Sequence, residues 1–100
     1  MLKWLSGLCG HMTSINEELK AAKAAISVLL TAAPKSGIST LRKANHIAIL
    51  NLSSEGGPLN EARGKVGIAL SNLMHGPPTK EKIDQAKGAV EDWINRLGAA

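Results

Sequence analysis

Leu41-Arg42-Lys43-Ala44-Asn45-His46-Ile47-Ala48-Ile49-Leu50-Asn51-Leu52 is the stretch whose conformation decides the fold class of this chain. Its last six residues are apolar nearly all round, and by periodicity alone so short a run suits a buried strand as well as a helix. Its alanines favour helix, and no other segment offers a strand to pair with it. Leu41, Ala44, Ala48 and Leu52 then align at steps of three and four, as one face of a helix requires. This reading predicts a helix over about 37–53, the most buried of the chain or else one covered by a partner.

Working outward, the segments on either side repeat the same pattern. Upstream, Ser14-Ile15-Asn16-Glu17 is a capping box, in which the serine hydroxyl accepts from the amide three residues on. Ile15, Leu19, Ala22, Ile26, Leu29 and Ala33 follow as a stripe, and Pro34 with Gly37 ends the helix. Downstream, Pro58 suits the first position of a helix, where its missing amide proton costs nothing. Leu59, Ala62, Val66, Ala69, Leu70 and Leu73 form that helix's stripe. Gly64 and Gly67 weaken it by about 1 kcal/mol each, which asks for a reason such as close approach of a neighbouring helix. His75-Gly76-Pro77-Pro78 is the sharpest break. Thr79 then caps a last helix with Ile83, Ala86, Val90, Trp93 and Leu97 inside and charged pairs four residues apart outside.

Four stripes joined by short breaks predict an all-α fold: a compact up-and-down bundle of four helices at about 14–33, 37–53, 58–75 and 79–97. The expected organisation is a single helical domain over residues 12–100. The 100 residues are 44% hydrophobic, but Trp4 and Trp93 are the only aromatics, so the core must be aliphatic and alanine-rich. Leu29, Leu70 and Trp93 are expected at its centre.

Residues 1–11 stand apart. Leu2, Leu5 and Leu8 share one side with Trp4 beside them, which suits a short amphipathic arm; if translation starts at Met12 instead, these residues are an upstream extension. The apolar run is too short for a signal peptide, and no window spans a bilayer. The lone Cys9 has no internal disulfide partner, and a reducing, cytoplasmic location is expected.

Charge is uneven. Residues 1–50 hold six basic and two acidic side chains, whereas residues 51–100 hold six of each, so the formal charge of +4 lies wholly in the first half. Lys35, Arg42, Lys43 and His46 form a basic cluster without an intervening acid. Ala33-Pro34-Lys35-Ser36-Gly37-Ile38-Ser39-Thr40-Leu41-Arg42-Lys43 resembles the turn and recognition helix of a helix-turn-helix module, which implies DNA contact by this segment. It departs from that pattern at Pro34, and at Lys43 and His46 where such a helix needs apolar residues.

Signatures of catalysis are lacking. Cys9, His11, His46 and His75 do not have the spacing of a metal site, and Glu17 and Glu18 read as parts of a helix cap. Gly56-Gly57-Pro58 is not followed by the lysine and hydroxyl of a phosphate loop. No enzyme, metal or cofactor is expected.

The function expected is therefore that of a small non-enzymatic interaction protein that binds and modulates, by inhibition, a larger protein, as accessory proteins of phages do. The alternative is a nucleic-acid-binding regulator using residues 33–46. Ile47, Ile49 and Leu50 lie off the Leu41 stripe, and Arg42, Lys43 and His46 rim them as a charged edge rims an apolar centre. With Trp4, Leu5 and Leu8 they make up the expected partner-binding surface, which a homodimer would also use.

Overall fold

A computed structural model describes residues 14–31, 37–52 and 56–99, and these form four helices: α1 (Ile15–Leu29), α2 (Ile38–Leu50), α3 (Pro58–Met74) and α4 (Lys80–Ala99). Among the described residues there is no strand, and the ambiguous run after Leu41 is helical. Trp4, Leu5 and Leu8, like the break at Pro34, lie outside the described residues.

The local signals act where they stand in the sequence. Ser14 is extended, and its hydroxyl accepts from the Glu17 amide at 3.2 Å, which satisfies one of the orphan donors of α1. Pro58 occupies the first turn of α3 after Gly56 and Gly57, whose positive φ angles of 78° and 105° exclude most side chains. Thr79 accepts from the Lys82 amide at 3.2 Å at the start of α4. One boundary differs from expectation. α1 stops at Leu29 rather than near residue 33, because Thr31 turns its amide and its hydroxyl onto the Val28 carbonyl and competes with a further helical turn.

Each helix packs along its length on two neighbours: α1 and α3 both adjoin α2 and α4, while the backbones of the diagonal pairs stay apart. This is the square section of an up-and-down bundle. The start of α1, the end of α2, the start of α3 and the last third of α4 meet in one layer, which shows that successive helices alternate in direction. Leu29, Leu41, Val66, Leu70, Val90, Trp93 and Leu97 fill the interior, with Ala22, Ala25, Ala44, Ala48, Ala62 and Ala86 allowing the axes to approach. Gly37 does the same at the head of α2, where a Cβ would overlap the Val28 side chain. Leu29, Leu70 and Trp93 are central, as expected.

The buried face of α1 is rotated from expectation. Glu18, Ala21, Ala22, Ala25 and Leu29 are buried, whereas Ile15 is exposed and Leu19 and Ile26 sit at the margin. The face is turned by roughly 60° toward Glu18 at 100° per residue. The cause is a polar contact described below. In α2 the correction concerns Ile47, expected to lie off the core line: it is buried between α1 and α2 and belongs to the core. Leu52, expected in the stripe, lies beyond the end of α2 and is exposed.

Candidate interaction surface

Two constellations invite a functional reading, one buried and one exposed. The buried one contains a residue from each helix or its cap. Arg63 grips the Glu18 carboxylate through Nε to Oε2 and Nη2 to Oε1, both at 2.7 Å. Asn51 Nδ2 donates to Oε1 and Trp93 Nε1 donates to Oε2, each at 2.8 Å. Arg63 Nη1 donates to the Asn51 carbonyl at 3.0 Å, capping the end of α2. Burial pushes the Glu18 carboxyl up, but the hydrogen bonds from Arg63, Asn51 and Trp93, together with the charge of Arg63, outweigh it and hold the group below its ordinary value.

A general base must offer a lone pair to a substrate. Glu18 has two donors on each oxygen and no exposed surface, so the arrangement serves packing and register rather than proton transfer. It also explains the rotation of α1, since Glu18 can meet Arg63, Asn51 and Trp93 only from the bundle axis. The sequence reading missed this cluster. A signal was nonetheless present, because Glu18, Asn51 and Arg63 each stand three or four residues from core positions of their own helix.

Among the described residues no three His, Cys, Asp or Glu side chains come together. No described helix is long and apolar enough to cross a membrane.

The exposed constellation lies across α2 and α3. Ile49 is 50% exposed, Leu52 40% and Ile68 66%, and they border a groove of about 610 Å³ whose other walls include Asn45, Gly64, Gly67 and Ser71. Gly67 is where α2 comes close: a Cβ there would meet Ile49 Cγ1 at 3.4 Å and Asn45 Oδ1 at 3.6 Å. Gly64 faces open space, so its missing side chain widens the groove instead of accommodating a helix. Among the described residues the buried Oδ1 of Asn45 has no hydrogen-bond partner.

Helical spacing places Arg42 and His46 beside Ile49 on the outer side of α2, and all three are exposed. Lys43 falls on the opposite flank, lining a separate groove of about 390 Å³ with Glu17, Lys20 and Thr40 of α1 and α2. Of the expected basic cluster, Arg42 and His46 are thus parted from Lys43 on the other flank of α2, and Lys35 lies outside the described residues. Of the apolar residues expected at the surface, Ile49 is there, Leu50 is half-buried, and Ile47 is inside. Ile68, Leu52 and the two glycines complete the surface and were not anticipated in that role. Ile68 stands outside the stripe of its own helix, which is the pattern that marks an exposed aliphatic.

No protein-family model matches the chain, and no match was found among curated proteins or solved structures.

Proposed function

We propose that this chain is a non-enzymatic helical interaction protein that binds and modulates a larger protein by occupying its surface through the α2–α3 face. The observation that carries the reading is the concentration of exposed aliphatics, Ile49, Leu52 and Ile68, around one groove with a glycine-lined wall. Scattered apolar residues are normal on a protein surface, whereas a grouped set beside a furrow and a charged rim has the composition of an interface. Inhibition by occupation fits a chain whose buried acid–base pair is saturated by its own neighbours.

The competing use of α2, reading nucleic acid through Ser39, Arg42, Lys43 and His46, is less well supported. Its cations fall on two flanks, and the same outward side ends in Ile49. An apolar side chain of that size gains most from a protein surface.

The test is a photo-crosslinking amino acid at position 49 or 68 in the native host. A covalent adduct to a polypeptide is expected, and it should disappear when a glutamate is placed at the other of the two positions. Adducts to nucleic acid alone, or none, would overturn the reading.

A further inference from the structure

The layout of charge on the α2–α3 face carries the reading one step further. Asn51 meets Arg63, and Ile49 and Asn45 flank Gly67, so the two helices run in opposite directions across the face. On the α2 edge Arg42 stands toward one end and Leu52, just past the helix, at the other. On the α3 edge, Glu61, Gly64, Ile68 and Asn72 follow one another along one line, with Glu61 level with the Leu52 end. Arg42 and Glu61 therefore occupy diagonal corners, with Ile49, Gly67 and Ile68 between them. Both are exposed, and among the described residues neither has an ion-pair partner within the chain. Lys65, four residues on from Glu61, lines the groove between α3 and α4, a wall that Ile68 and Asn72 share.

An isologous interface needs a patch that complements itself under a two-fold rotation. Here ridges (Ile49, Ile68) stand next to a furrow (Gly64, Gly67), and a cation and an anion lie at opposite corners. A uniformly acidic partner would satisfy Arg42 and His46 but would meet Glu61 as a like charge; a second copy satisfies both corners. We propose that the α2–α3 face holds a second copy of this chain, related by a two-fold axis lying in the face, with Arg42 of each copy on Glu61 of the other. This rests on the reading of the face as a protein interface, and it names the occupant when no other partner is present, so that a larger partner competes with the dimer.

The experiment is sedimentation equilibrium of the full chain from micromolar to submillimolar concentration, with helicity checked by circular dichroism. A monomer–dimer equilibrium is expected. Ile68→Glu, at an exposed site that folding does not require, should weaken it about 30-fold or more, as the loss of a central contact does. Arg42→Glu and Glu61→Arg should each weaken it by about threefold or more, and the double charge swap should restore it. A monomer at every concentration, a dimer indifferent to Ile68→Glu, or a double swap no better than the single changes would overturn the proposal. So would a monomer whose crosslinker at position 68 joins its own residues 1–13. A monomer whose position 68 links to a different polypeptide in the host would remove the second copy while leaving the interface reading intact.

Discussion

Arg63→Met is the substitution that tests the architecture most directly. It keeps most of the side-chain volume and removes the three donors that Glu18 and the Asn51 carbonyl receive from Arg63, at 2.7, 2.7 and 3.0 Å. Breaking a buried ion pair from one side costs about 3–5 kcal/mol, because the remaining charge stays buried without compensation. Domains of this size are stable by about 5–15 kcal/mol, and each kcal/mol is worth about 4–8 °C, so the melting temperature should fall by roughly 12–40 °C.

The pH dependence supplies the sharper test. In the unmodified protein the Glu18 carboxyl lies below its ordinary value, so the unfolded chain binds the proton more readily. Its contribution is complete above the ordinary carboxylate range and is lost as pH falls through the lower, folded value. Once Arg63 is gone, burial dominates and pushes the carboxyl up, and protonation then relieves the buried charge. The difference between the two proteins should therefore be largest near neutrality and shrink below the ordinary carboxylate range. Urea titrations followed by circular dichroism at both acidities measure it. A loss under about 1 kcal/mol at neutral pH, or one that does not shrink in acid, would refute the assignment of Glu18 and Arg63 as a charged buried pair.

Other outcomes follow from the same geometry. Leu29→Ala and Leu70→Ala should each cost about 2–5 kcal/mol in urea titrations, since both side chains are fully buried in the core. Gly64→Ala should stabilise the monomer by up to about 1 kcal/mol, because nothing lies within 4 Å of the added Cβ and the helix gains propensity; thermal melts at low concentration read this directly.

How much of this protein is legible in its sequence depends on the range of the interaction concerned. Ser14, Pro58 and Thr79 mark helix starts because capping is settled within three residues, and the stripes through Leu41, Val66 and Val90 follow from a period the backbone imposes on any helix. Four amphipathic helices with short connections leave few ways to bury their stripes, so the bundle itself follows. Part of the candidate surface is legible too: Arg42, His46 and Ile49 are exposed as their phase on α2 requires. Tertiary structure decided the rest. Glu18 reads locally as a first-turn acid, welcome at any helix N-terminus; only Asn51, Arg63 and Trp93, 33, 45 and 75 residues away, make its burial favourable. That contact sets the rotation of α1. Ile47 and Ile49 are likewise equivalent in composition, and the approach of α1 on one side and of Gly67 on the other is what draws the first inside and leaves the second on the surface. Local propensity fixes where helices begin and which residues share a face, whereas the cost of burying a charge or exposing an aliphatic depends on neighbours that only the packed bundle supplies.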